Sequence, residues 1–328
     1  MTTKKRIVSG MRPTGALHLG NFHGALKNWI HMQDDYDCFF FVADWHALTS
    51  DYENPSYIKE FSRKMMIDWL GAGLSPEKST LFIQSHIPQH AELFLLLSMI
   101  TPVPWLERNP TYKEQIAELQ NKDLSTFGFL GYPILQAADI IIYKAEGVPV
   151  GVDQSPHIEI TREIARRFNF LYKEVFPEPA TILTESAKIL GTDRRKMSKS
   201  YDNAIFLSDP PEVIRKKVAT MITDPQRIKK SDPGDPDVCN VYSFHQMYSS
   251  PDLTEAVNRD CRTAAIGCVE CKKKMAESLI GGLAPIREAT EYYHAHPDIV
   301  DEIIDRGNRH AAAQARQTLD EVRAALKI

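Results

Sequence analysis

The sequence predicts an α/β fold: a parallel sheet with helices on both faces, followed by an all-α C-terminal region. Three observations carry this. Short apolar runs at residues 6–9, 38–43 and 80–83 alternate with segments of helical apolar spacing through the first half. Each run ends in a polar cluster, residues 10–21, Asp44-Trp45-His46 and Gln84-Ser85-His86, at the place where parallel sheets bind ligands. Beyond residue 205 the strand signals stop and helical periodicity takes over. Together these describe a Rossmann-type domain over residues 1–204 and a helical domain over 205–328.

The first element is the β-branched run Arg6-Ile7-Val8-Ser9. A Gly/Pro turn follows, Gly10-Met11-Arg12-Pro13-Thr14-Gly15, and then His18-Leu19-Gly20-Asn21 opens a helix whose apolar stripe is Phe22, Ala25, Leu26, Trp29 and Ile30. A strand, a tight turn and a helix start present backbone N–H groups to a phosphate. His18 and Asn21, three apart, can face the same anion, and Gly20 leaves room for a flat ring against the backbone. The spacing is neither a Walker loop nor a dinucleotide fingerprint.

The run at 38–43 reads as a fully buried strand. Asn54-Pro55 then caps a long helix that reaches Trp69-Leu70 and is closed by Gly71 and Gly73. After the strand at 80–83 a helix runs through 93–99; prolines break the alternation over 102–125, where a polar helix is expected around 113–120. Next, Tyr132, Gln136 and Asp139 fall at i, i+4 and i+7 on one helix face, an arrangement that suits an apolar pocket with a few convergent polar groups. Val148-Pro149-Val150 leads into Gly151, Val152, Asp153 and Gln154, at the start of a helix through His157, Ile160, Ile164 and Phe168, where an anion or a ribose could be held. Past Gly191-Thr192-Asp193-Arg194-Arg195, a polar basic loop, comes Lys196-Met197-Ser198-Lys199-Ser200. Asp209-Pro210-Pro211 opens a helix to Met221, and the Ala-rich, periodic stretch at 308–328 reads as the last helix.

A chain of 328 residues with 43% hydrophobic and 25% charged residues has the composition of a globular protein with a substantial core. The sequence carries no secretory signal pattern and no apolar run long enough for a bilayer, so a cytoplasmic, non-membrane protein is expected. A net charge of −4 announces no nucleic-acid partner by itself, although basic residues cluster at Arg215-Lys216-Lys217, at Arg227 with Lys229-Lys230, and at Lys272-Lys273-Lys274. Four of the five cysteines, Cys239, Cys261, Cys268 and Cys271, are separated by 21, 6 and 2 residues. In a reducing compartment that clustering points to a metal before disulfides, and four thiolates suit structural zinc or a [4Fe–4S] cluster equally. Cys38 lies in a core strand and is not expected to be a ligand.

His18-Leu19-Gly20-Asn21 resembles the "HIGH" signature of class I aminoacyl-tRNA synthetases, and Lys196-Met197-Ser198-Lys199-Ser200 matches their second signature letter for letter. With residues 10–15, 42–48, 136–140, 151–154 and 157–159, the resemblance covers the whole chain and is to the bacterial tryptophanyl-tRNA synthetases, the branch with a C-terminal cysteine quartet. The resemblance implies a tryptophan–tRNA ligase that uses ATP and Mg²⁺ and binds L-tryptophan and tRNA(Trp), a homodimer joined through the 102–125 insertion, with no DNA partner. It implies that His18, Asn21, Lys196 and Lys199 carry the catalytic contacts, and that Arg12, Pro13, Thr14, Gly20, Asn21, Gly151, Val152, Asp153, Ile189, Lys196, Met197, Ser198, Lys199 and Ser200 bind ATP. Tryptophan would lie against His46, Tyr132, Gln136, Asp139 and Gln154, with Asp139 accepting the indole N–H. It also selects [4Fe–4S] over zinc for Cys239, Cys261, Cys268 and Cys271, and gives anticodon recognition to the C-terminal helices. Arg12, Gln136 and Val152 depart from the residues common in relatives at these positions.

Tyrosyl-tRNA synthetase is the nearest alternative, since a phenol O–H and an indole N–H are both donors; the whole-chain match favours tryptophan. A nucleotidylyltransferase would be shorter and lack the helical half. A non-catalytic iron–sulfur RNA-binding protein would not keep His18, Lys196 and Lys199.

Overall fold

The computed structural model describes residues 4–110, 112, 113, 116, 123–184 and 189–328, and of Asp153 the backbone alone. Most of the polar helix expected around 113–120 therefore lies outside the described residues.

Five parallel strands are found among the described residues: β1 (Arg6–Met11), β2 (Asp37–Val42), β3 (Ser79–Ile83), β4 (Gly147–Val150) and β5 (Ala180–Leu183). Their order is β3-β2-β1-β4-β5, every neighbouring pair parallel. The chain winds outward from β1 to β3, then returns to place β4 on the other side of β1, with Ile7 opposite Gly147. Such a reversal opens a crevice beyond the carboxyl ends of the two central strands. Arg12-Pro13-Thr14 follow β1 and Gly151 follows β4 at that end.

Strands β1 to β4 fall where the apolar runs predict them. From Cys38 to Val42 every side chain of β2 is buried, as expected of a strand covered on both faces. β5 is different: its residues are exposed or half-buried, so it has no apolar run to announce it. Asp44-Trp45-His46, the polar cluster that ends the second apolar run, opens the helix Asp44–Asp51. The Asp44 carboxylate accepts the backbone N–H groups of Trp45 and Ser85 at 3.0 Å each, together with the Ser85 hydroxyl, which ties the end of β2 to the end of β3. The helix Ile58–Ala72 is closed by Gly73 at φ 111°, a left-handed residue that glycine adopts without strain.

Beyond residue 210 the longer elements are all helical: Pro211–Thr220, Asn240–Tyr248, Pro251–Arg262, Cys268–Ala295 and Pro297–Leu326. The last of them packs on the sheet. Ala311, Ala315, Leu319 and Val322 share one core with Phe39, Phe41 and Phe82 of β2 and β3. A Cβ at Gly307 would stand 1.8 Å from the Leu81 carbonyl oxygen, so only glycine lets this helix lie against β3.

The chain forms two compact units. A sheet unit comprises Met1–Gly15, Lys27–Glu185 and Tyr293–Ile328, and a helical unit comprises Ala16–Leu26 and Ser186–Tyr292. In the helical unit Leu19 N–H donates to the Ile205 carbonyl and Leu207 N–H to the Leu17 carbonyl, both at 2.9 Å.

Candidate active site

Both signature loops belong to the helical unit. His18 precedes the short helical turn Leu19–Asn21, and the turn is held by reciprocal bonds: His18 Nδ1 accepts the Asn21 backbone N–H and Asn21 Oδ1 accepts the His18 backbone N–H. The imidazole is 8% exposed, and burial, aided by the Lys199 ammonium, pushes its pKa down to about 4. At neutral pH His18 is therefore an uncharged ring within the field of Lys199. A Cβ at Gly20 would meet the His18 ring at 2.9 Å, so the flat ring that this glycine admits here is the histidine's own.

The second loop is built around Asn203, which the sequence analysis did not single out. Its Oδ1 accepts the Ser198 N–H at 2.8 Å, while its Nδ2 donates to Asp193 Oδ1 at 2.7 Å and to the Lys196 carbonyl at 3.2 Å. Gly191 makes room for it, since a Cβ there would lie 2.2 Å from the Asn203 side chain. Met197 is buried and donates its N–H to the Ile189 carbonyl at 3.2 Å. Ser198 and Ser200 share a hydroxyl bond at 2.8 Å. Lys196 is exposed and Lys199 half-buried, so two ammonium groups stand on a loop whose backbone is fixed from within.

The sheet unit carries the other predicted residues. Pro13 is buried and Thr14 exposed; Arg12 donates from Nη2 to Ser50 and to Asp51 Oδ2, while its Nε is buried without a hydrogen-bond partner. Gly151 is half-buried, Val152 is 72% exposed, and the side chain of Asp153 lies outside the described residues. Tyr132 and Gln154 are joined through a residue that was not assigned a role: His157 Nε2 lies 2.9 Å from the Tyr132 hydroxyl, and its Nδ1 lies 3.0 Å from Gln154 Oε1. The His46 ring packs edge-on to Tyr132 with centroids 5.3 Å apart. Burial, then the charges of Arg12 and His157, push His46 down to about 3. Gln136 is half-buried on the same helix face. Asp139 is 1% exposed, and both its oxygens have protein partners, His90 on Oδ1 and Gln84 on Oδ2. Gln84 Oε1 in turn accepts the His46 N–H at 3.1 Å.

Residues 1–284 match the family described as tRNA synthetases class I (W and Y). A tryptophan–tRNA ligase of Thermotoga maritima is 52% identical over 98% of this chain and 99% of its own length. One from Ralstonia nicotianae is 45% identical, with 98% of each chain covered. The chain belongs to the class I tryptophanyl-tRNA synthetases. The solved tryptophanyl-tRNA synthetase of Campylobacter jejuni, complexed with ADP and tryptophan, superposes with a TM-score of 0.91 at 30% identity, covering 98% of this chain and all of that one.

This synthetase also gathers its four C-terminal cysteines, none of them in a disulfide. Cys239, Cys261 and Cys271 pack around Tyr242, Val257 and Ile266. Arg227, one of the clustered basic residues, turns inward: its Nη1 lies 3.8 Å from Cys261 Sγ and 3.9 Å from Cys268 Sγ, and its Nη2 donates to the carbonyls of Lys230 and Ile266. Burial and the neighbouring thiols push Cys271 up to about 12. Among the described residues no group of three or more His, Cys, Asp or Glu side chains is spaced to hold a metal ion, so the quartet shows no ready-made site for either the zinc or the cluster reading. Cys38 is buried in β2, in the sheet unit. No helix among the described residues is long and apolar enough to cross a membrane.

Proposed function

We propose that this synthetase activates L-tryptophan with ATP and transfers the tryptophanyl group to tRNA(Trp) through the residues described above. The tryptophan carboxylate attacks the α-phosphate, and pyrophosphate leaves. The nucleophile is already an anion, so no general base is required; positioning and charge stabilisation supply the rate. His18 as a neutral N–H donor, the Asn21 amide and the ammonium groups of Lys196 and Lys199 stabilise charge developing on the phosphates, and Mg²⁺ accompanies the nucleotide. Ile189 and Met197 offer apolar surface to adenine, the 151–153 turn meets ribose, and Arg12-Pro13-Thr14 and Ser198 and Ser200 line the phosphate path. Tyr132 and Gln154, held by His157, orient the amino group; His46 and Gln136 flank the ring, and Asp139 accepts the indole N–H.

The observation that carries this is the reciprocal His18–Asn21 cap within the field of Lys199, one loop of each signature acting on the other. ATP–pyrophosphate exchange measured with tryptophan and with tyrosine tests it. Exchange is expected with tryptophan; exchange with tyrosine alone would overturn it.

A [4Fe–4S] cluster at Cys239, Cys261, Cys268 and Cys271 is the finer reading of the quartet. What supports one site is that Arg227 Nη1 reaches both Cys261 and Cys268 and that Cys239, Cys261 and Cys271 pack in one cluster; four thiolates suit a [4Fe–4S] cluster as they suit zinc. Its role is structural, and the four cysteines would hold it within a cytoplasmic enzyme. The division into a catalytic domain, 1–204, and an anticodon-binding domain, 205–328, belongs to the same proposal. So does a homodimer: Leu95, Met99, Val103 and Phe127 are 51–70% exposed around the 102–125 segment, an apolar surface that a second copy would cover.

A further inference from the structure

The residues proposed to hold tryptophan are backed by a second row of side chains. His90 and Tyr143, 0% and 1% exposed, lie behind Asp139. His90 Nδ1 is 2.5 Å from Asp139 Oδ1, and its Nε2 is 2.6 Å from the Tyr143 hydroxyl. If the phenol O–H donates to Nε2, the imidazole proton resides on Nδ1 and is donated to the carboxylate. The rings of Phe41 and Phe82 wall His90 at 6.1 and 6.2 Å between centroids. On the other oxygen Gln84 donates at 2.7 Å, and Asp44 is the further charge that acts on Asp139.

A carboxyl this enclosed is pushed by burial toward its protonated form, and the bonds from His90 and Gln84 pull it back. The distinction decides recognition. A carboxylate accepts the indole N–H, whereas a protonated carboxyl can turn an O–H donor on it. We propose that His90 and Tyr143 are positioning residues for tryptophan selection, holding Asp139 as an aimed, ionised acceptor without touching the substrate. The inference rests on Asp139 being the indole acceptor.

The test uses the full chain in ATP–pyrophosphate exchange and compares kcat/KM for tryptophan with that for its benzothiophene analogue, in which sulfur replaces the N–H. Asp139→Asn tests the underlying assignment, since an amide can turn its own N–H on the indole. His90→Leu is expected to lower the tryptophan-to-analogue ratio at least tenfold and to raise the KM for tryptophan while leaving that for ATP in place. Tyr143→Phe, which removes one oxygen, lowers the ratio in the same direction by about threefold and carries the test should His90→Leu not fold. His90→Asn, whose amide N–H falls near the Nδ1 position, recovers part of the loss, which a merely space-filling role would not allow. A ratio unchanged in Asp139→Asn overturns the acceptor assignment, and the inference with it. A ratio lost in Asp139→Asn but intact in Tyr143→Phe and in any folded His90 variant overturns the inference alone.

Discussion

His18 Nδ1 accepts the Asn21 backbone N–H at 3.3 Å while Asn21 Oδ1 accepts that of His18 at 3.1 Å. An acceptor at Nδ1 places the ring proton of the neutral imidazole on Nε2. The same bond that starts the helix thus chooses which nitrogen can donate to a phosphate.

His18→Ala is expected to lower tryptophan-dependent exchange by about tenfold or more, the effect of losing one transition-state donor. His18→Gln, which still carries an N–H at the distal position, should retain more activity than His18→Ala. Equal loss in the two variants would rule out donation from Nε2. Lys199→Ala should fall as far as His18→Ala.

Asn203 makes three hydrogen bonds that fix the loop bearing Lys196 and Lys199. Asn203→Ala leaves the Ser198 N–H and the Lys196 carbonyl without this partner and is expected to lower kcat by about tenfold with the fold retained, each lost bond costing about 1 kcal/mol. Steady-state exchange together with circular dichroism checks this; wild-type kcat would show that the loop orders itself without Asn203.

Acid should destabilise the protein before its carboxylates titrate. His18 and His46 have native pKa values of about 4 and 3 against 6.5 for a free ring. Between 6.5 and those values the unfolded chain binds a proton at each ring that the folded chain does not. Stability from these rings is complete above 6.5 and falls with pH below it, by about 1.4 kcal/mol per pH unit for each ring. Urea unfolding at pH 7, 6 and 5 measures the slope, and His46→Gln should flatten it in the sheet unit; an unchanged slope would mean that His46 is protonated in the fold.

Gly307→Ala places a methyl group against the Leu81 carbonyl, a backbone atom that cannot rotate away. The cost is expected at the upper end of the ~1–3 kcal/mol range for overpacking, a fall in Tm of about 5 °C or more. A Tm within a degree of wild type would show that the final helix can slide along β3.

Protein purified without oxygen should be brown and contain about four irons per chain. Cys268→Ser should lose iron while Cys38→Ser keeps it. One zinc and no iron would replace the cluster with a single-ion site, and neither metal would leave the quartet as plain thiols.

The central strands and the signature loops were legible because their signals are local. An apolar run such as that at 38–43 and a pentapeptide such as Lys196-Met197-Ser198-Lys199-Ser200 need no distant partner to be recognised. β5 was not legible because edge residues that are half-buried have no reason to be apolar. His90, the role of His157 and the particular role of Gln84 within its polar cluster escaped for another reason: each depends on a partner up to 55 residues away, such as Asp139 for Gln84. The clue for such residues is a polar side chain in an otherwise apolar neighbourhood, as His90 is before Leu93 and Leu97. Periodicity likewise announces a last helix over 308–328 but neither its start at Pro297 nor the surface on which it lands.

That landing has a consequence for synthesis. A ribosome makes β3 more than two hundred residues before the helix that covers it, since Leu81 and Gly307 are close in space but remote in sequence. The sheet unit cannot close before its final helix has emerged, whereas the helical unit has all its residues once position 292 has emerged. The core between β3 and the final helix is thus assembled last, by contacts of high sequence separation, which form slowly. Until then one flank of β3 is bare, and a chaperone that shields apolar surface would find its substrate in the nascent chain rather than in the finished enzyme.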